Sequence, residues 1–319
     1  MLAESRPLPA PDPTGPVPAG PARGEGSRAR AGARVAAGLV AFLALLAVGV
    51  TYRLFVTTAA GQRVDELAFA GALYGQGRLW AVAEPVLDVV SVAFVVVAIG
   101  AAMLVAVARR RWVLAVQVAA LVAGANVTTQ LLKHQLLERP DLLPGWNGPN
   151  TLPSGHTTVA ASVSAALLIA TPRTWRPAVA VVGVLYTGAT GVSTLVGQWH
   201  RPSDVVAALL VVLAWGAAVC AFTPTGALDS PRAPGASFAT PGSSVLAGLL
   251  ILGAVVGGGG GAAAMVAAAT MAGLVGAWSV PFAPDVTAYA VGALAVASVT
   301  AATFAVLLLV RQATARPHG

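Results

Sequence analysis

The sequence predicts an all-α, polytopic membrane protein, and three observations carry that prediction. Eight apolar runs, most of them near the ~20 residues a helix needs to cross the hydrocarbon core, alternate with polar segments. Only 10% of the 319 residues are charged and 57% are hydrophobic, with a mean hydropathy of +0.78. A soluble protein is about one-quarter charged, so the bilayer is the expected solvent. Finally, Lys and Arg gather on alternate connections, as the positive-inside rule requires. The net charge of +7 is scattered between apolar runs, which argues against a nucleic-acid partner. Cys220 is the single cysteine, so neither an internal disulfide nor a cysteine-based metal site is available. Abundant Ala, Gly, Val and Arg beside a single Lys point to a bacterial chain, hence to the plasma membrane.

Residues 1–34 are rich in Pro, Gly, Ala and Arg without apolar periodicity, and are expected to be a disordered cytoplasmic segment. The first run, Val35–Tyr52, continues past Arg53 to Val56. A cleavable leader ending near Ala59 and Ala60 is disfavoured because the preceding segment is long for that role. Gly61 to Asp88 reads as the first outer loop, with Val64–Tyr74 as a short amphipathic helix along the interface. Spans follow at Val89–Ala108, Trp112–Leu132, Thr157–Ala170 (a short one), Pro177–Gln198 and Val205–Phe222. Two more, Val245–Leu274 and Val286–Val310, complete the set. The run Gly257 to Gly261 in the seventh predicts a kink or a tight helix contact.

With a cytoplasmic N-terminus, the inner segments are 1–34, Arg109 to Arg111, Arg173 with Arg176, the linker 223–242 with Arg232, and the tail 311–319. The six cations left outside are Arg53, Arg63, Arg78, Lys133, Arg139 and Arg201, so 13 of 19 lie inside. Both termini are therefore expected in the cytoplasm.

Three polar clusters fall on the outer side. Lys133 and Arg139-Pro140 leave the third span; Pro153-Ser154-Gly155-His156 opens the fourth; Ser193-Thr194 through His200-Arg201-Pro202-Ser203-Asp204 joins the fifth to the sixth. A helix start offers unpaired N–H groups and the positive end of the macrodipole, a ready anion site. Ser154 can cap it, Gly155 leaves the backbone approachable, and His156 brings a proton that titrates near neutrality. His200 and Asp204 are four apart at another helix start. The carboxylate can accept from one ring nitrogen and leave the other as nucleophile or base.

These clusters resemble the type 2 phosphatidic acid phosphatase (PAP2) family, related to the vanadium haloperoxidases. The family's pattern is Lys, six residues, Arg-Pro; then Pro-Ser-Gly-His; then Ser-Arg, five residues, His, three residues, Asp. The second motif and the His200–Asp204 spacing match in full. Five residues, not six, separate Lys133 from Arg139, and Thr194 stands in the place of the third motif's Arg. The resemblance implies a six-helix catalytic core over 35–222, with 243–310 as two additional transmembrane helices. It also implies a phosphatase of lipid phosphates or isoprenoid diphosphates whose site faces outward. In that reading His200, oriented by Asp204, attacks phosphorus to give a phosphohistidine, and His156 protonates the leaving oxygen. Lys133, Arg139 and the backbone N–H groups of Ser154, Gly155 and His156 hold the phosphate oxygens. No cofactor or metal is implied. Arg201 is expected to reach the same oxygens in place of the missing Arg, whose loss could otherwise cost on the order of 10- to 100-fold.

Two other readings remain open: a phosphotransferase of the same fold, and a degenerate member that binds or moves lipid phosphates without turnover, for which Thr194 is the motive. His134 and His318 read as interfacial and tail residues, Glu138 and Asp141 as solvated loop charges, and Trp146 and Trp199 as interface belt residues.

Overall fold

Apolar segments in lipid must satisfy their backbone polar groups internally, and the described apolar segments do so as helices. The computed structural model describes residues 23–89, 100, 112–144, 148–223, 228–229, 241–275 and 284–316, with no strand among them. The helices are α1 (Arg23–Thr51), α2 (Ala59–Val89), α3 (Trp112–Leu131), α4 (Gly155–Ala170), α5 (Arg176–Val196), α6 (Pro202–Ala221), α7 (Pro241–Val275) and α8 (Pro284–Thr314). Wide π turns close two of them, Tyr52–Val56 after α1 and Leu132–Leu136 after α3. Six of the described segments are long and apolar enough to cross a membrane, and α4 is a shorter apolar helix. The span expected at 89–108 lies almost wholly outside the described residues, as do Arg109 to Arg111, Trp146, Arg232 and His318.

Helix α6 is the axis of the bundle. Val205, Ala207, Ala208, Leu209, Val211 and Val212 are all fully buried, against α1, α3, α4 and α8. Large side chains such as Leu39, Phe42, Val182 and Leu185 point outward instead, as expected where lipid is the solvent.

The two ends of the bundle carry different chemistry. At one end Gln117 Nε2 donates to the Val219 carbonyl at 2.7 Å and Arg34 Nε to that of Ala221 at 2.7 Å. There too the buried Arg176 donates to both oxygens of Asp229, at 2.9 and 2.6 Å. The buried Arg311 Nε donates to the Ile169 carbonyl at 3.2 Å. Arg34, Arg176 and Arg311 thus share one end, and the three motifs occupy the other.

Three expectations are corrected. The segment 1–34 is not unstructured throughout: α1 begins at Arg23, well before Val35. Ala and Arg are good helix formers that extend a helix the apolar run has already nucleated. The tail does not begin at 311, because α8 runs to Thr314 and buries Arg311. Most important, 61–88 is not a loop with a short interfacial helix but part of one continuous helix, α2. Gln62, Asp65, Ala68, Ala72 and Gly75 lie on one buried stripe of it. That stripe packs on α5 and α8 rather than on headgroups.

Helix α8, predicted as an appended span, packs on α2, α5, α6 and α7. Close backbone approach makes this possible. A Cβ on Gly71 would stand 2.0 Å from the Asp285 carbonyl oxygen, and one on Gly292 2.5 Å from Pro202 Cγ. Gly257 of α7 meets Ser298 of α8 in the same way, so the first glycine of the run makes a tight contact inside an unbroken helix.

Removing one partner of a buried ion pair leaves an uncompensated charge, at about 3–5 kcal/mol. Asp229→Asn should therefore lower the thermal midpoint of the detergent-purified protein by several degrees. An unchanged midpoint would show that the Arg176 bridge contributes nothing net.

Candidate active site

The third motif is built by the junction between α5 and α6. The carbonyl of Thr194 accepts from the backbone N–H of Trp199 at 3.0 Å and of His200 at 3.3 Å, which rounds off the end of α5. Gln198 follows in the left-handed region, φ 54°, and its Nε2 donates to the Phe69 carbonyl of α2 at 2.9 Å. Pro202 then starts α6, where a missing N–H is harmless. His200 lands buried, its Nδ1 3.1 Å from Asp204 Oδ2. An ionised carboxylate only accepts, so Nδ1 carries a hydrogen, and in the neutral ring it is then Nε2 that has the lone pair. The same Oδ2 accepts from the Arg201 backbone N–H at 3.0 Å.

The second motif is brought to the third by one backbone bond: Ser154 N–H donates to the Asp204 carbonyl at 2.9 Å. Ser154 is the N-cap of α4, its Oγ accepting from Thr157 N at 3.4 Å. The Ser154 N–H expected to face phosphate is therefore already committed. The N–H groups of Gly155 and His156, in the first turn, have no intrahelical acceptor. A Cβ on Gly155 would meet protein no nearer than Gln130 Nε2 at 3.9 Å, so close packing against protein does not explain this glycine. The imidazoles of His156 and His200 are neighbours in an edge-on arrangement, with centroids 6.4 Å apart. Trp199, expected in the interfacial belt, lies 5.2 Å from the His156 ring, and Trp80 of α2 packs edge-on against it at 6.4 Å.

The cations come from the first motif. Lys133 sits in the π turn after α3, within electrostatic range of His156. A π turn holds an extra residue per turn, and extended backbone at Leu137 follows, so the short Lys133-to-Arg139 spacing falls where α-helical register has ended. Asn150 stitches this loop to the second motif, donating to the carbonyls of Leu152 at 2.9 Å and Leu137 at 3.2 Å. Half-buried Arg139 has its pKa pulled down by burial and by the Arg201 guanidinium, with Asp65, Asp204 and Glu66 opposing. It is therefore a member of the same cluster, and a guanidinium stays charged there.

Two further positions complete the third motif. Thr194 is fully buried and its Oγ1 bonds the Gly191 carbonyl at 2.7 Å, so it brings no charge to the site. Arg201 is engaged with α2: Nη2 lies 2.8 Å and Nε 3.2 Å from Glu66 Oε2. The neighbouring Asp65 accepts from the backbone N–H of Ser203 at 3.4 Å and from its hydroxyl. Neither carboxylate was singled out from the sequence. The usable signal was a polar stripe (Gln62, Asp65) continuing into Ala68 and Ala72 at helical spacing, which suits protein packing better than headgroups.

Residues 112–226 match the model of the PAP2 superfamily. The PAP2 segment contains α3 to α6 and every motif residue from Lys133 to Asp204, whereas α1, α2, α7 and α8 lie outside it. No curated protein and no solved structure gives a significant match to the chain.

Burial, helped by the charge of Asp204, pushes the Asp65 carboxyl up from 3.8 to about 7, against the Ser203 hydrogen bonds and Arg201. Between these values the folded chain holds a proton that the unfolded chain has released. Its stabilising contribution is thus complete below the ordinary carboxyl range and is lost as pH rises through about 7. Thermal midpoints measured from pH 4 upward should show that fall in the wild type relative to Asp65→Asn; parallel curves would refute it.

Proposed function

We propose that this chain is a metal-independent phosphatase of lipid phosphates or isoprenoid diphosphates, working through a phosphohistidine at the outer membrane surface. The match of residues 112–226 to the PAP2 superfamily points to phosphatase chemistry; the residue roles and the lipid substrate are our reading. The observation that carries it is the adjacent pair of imidazoles, one held by a carboxylate, beside Lys133 and Arg139.

In this reading His200 Nε2 attacks phosphorus and the bond from phosphorus to the leaving oxygen breaks. His156 donates its proton to that oxygen. Asp204 stabilises the positive charge that develops on the His200 ring. Water then attacks the phosphohistidine while His156 takes the water's proton, the N–P bond breaks, and phosphate departs. Lys133, Arg139 and the N–H groups of Gly155 and His156 face the charge that develops on the equatorial oxygens. Arg201, paired with Glu66, is reassigned from phosphate binding to holding the turn. The sorting of Arg34, Arg176 and Arg311 to the opposite end supports an outward-facing site in the plasma membrane.

The buried Thr194 favours one second reading, a lipid-phosphate binder without turnover. Purified protein should release phosphate from phosphatidic acid, phosphatidylglycerol phosphate or a prenyl diphosphate in excess chelator. His200→Ala should abolish release, and acid-labile, alkali-stable phosphoprotein should be trapped in the wild type alone. A wild type inert on every one of these lipids would favour the binder; activity retained in His200→Ala would end the phosphohistidine route.

A further inference from the structure

The turn that carries His200 is gripped from outside the PAP2 segment at three places, all by one face of α2. Gln198, just before Trp199 and His200, donates to the Phe69 carbonyl. Arg201, just after His200, binds Glu66 through Nε and Nη2, and its guanidinium lies over the Phe69 ring, 4.9 Å from the centroid. Ser203, just before Asp204, binds Asp65 through both its hydroxyl and its backbone N–H. Arg201 also reaches Thr151 Oγ1 at 3.4 Å, in the loop that feeds Pro153 and Ser154. Arg201 and Ser203 flank Pro202, which cannot itself donate a backbone hydrogen bond.

We infer that Glu66 and Asp65 of α2 are positioning residues for the proposed nucleophile: they clamp Arg201 and Ser203 on either side of Pro202 and so hold the His200–Asp204 pair in its attacking geometry.

Three features support this. Arg201 is almost fully buried, so without Glu66 its charge would stand against Arg139 with less compensation. The peptide N–H that Arg201 gives to Asp204 Oδ2 shares that oxygen with His200 Nδ1, so a shift of Arg201 is felt directly by the imidazole. Helix α2 itself is backed by α8 through Gly71 and Gly75, so the clamp rests on a fixed wall. Displacing a nucleophile by a fraction of an ångström acts on turnover more than on ground-state binding.

The inference deepens the phosphatase reading and rests on it for its kinetic arm, so the experiment has a second arm that does not. In the kinetic arm, Glu66→Gln should lower kcat about 10- to 100-fold, the scale of one charge-assisted hydrogen bond, and leave KM within about threefold. Arg201→Gln should match it, and the double variant should be no worse than either single one. The spectroscopic arm uses the fact that the chain has only 4 histidines. In ¹⁵N-histidine-labelled protein, the His200 Nδ1–H resonance, assigned by its loss in His200→Ala, should be protected in the wild type and broadened in Glu66→Gln. Glu66→Asp, which keeps the charge, should recover part of both effects.

Wild-type kcat with an unchanged resonance in Glu66→Gln would overturn the inference, as would losses that simply add in the double variant. Should the wild type prove inert on all lipid phosphates, the phosphatase reading falls and the resonance alone decides whether Glu66 positions His200. Should Glu66→Gln fail to fold, Asp65→Asn and Glu66→Asp give the same pair of readouts.

Discussion

The site depends on a single residue being held from several directions at once. Asp204 gives its Oδ2 to the His200 ring and to the Arg201 peptide, and its carbonyl to the Ser154 peptide. One carboxylate and one carbonyl, adjacent on the same residue, thus set the tautomer of one histidine and the distance to the helix that carries the other. A buried carboxylate oxygen needs partners, and those that fill Asp204 Oδ2, the His200 ring and the Arg201 peptide, are the parts of the site that need placing. The 6.4 Å between the two rings follows from this arrangement rather than from any direct contact between them.

Much of this was legible in the sequence because it is local. The interval from His200 to Asp204 and the cap at Ser154 are one-turn relations, and helical geometry translates them directly into contacts. The described spans were legible because apolar length against bilayer thickness leaves little choice. What was not legible is what joins distant segments. Glu66 and Arg201 are 135 residues apart, and nothing in either neighbourhood names the other. Helix α2 was misread because a stripe that faces headgroups and a stripe that faces protein have the same period; only its small residues, Ala68, Gly71, Ala72 and Gly75, tell them apart. The short first motif was visible as a departure, but the π turn and the extended backbone at Leu137 on which it falls have no composition of their own.

The two ends of the bundle show how differently buried arginine can be used. Arg176 and Arg311 sit among carbonyls and the Asp229 carboxylate, fastening the ends of α4, α5 and α8 together. Arg201 is equally buried but sits one residue from the proposed nucleophile, and its carboxylate partner comes from a helix that the PAP2 segment does not contain. Burial alone does not separate the two roles; what matters is which peptide the charge pulls on.

The contact of Gly292 with Pro202 has a consequence for how this protein can be handled. The first turn of α6 leans on the last helix of the chain, and α2 leans on that same helix at Gly71 and Gly75. A fragment trimmed to the boundaries of the PAP2 segment would keep every motif residue yet shed both walls of the cradle around them. Expression of that fragment is therefore a poor guide to what the intact polypeptide can do.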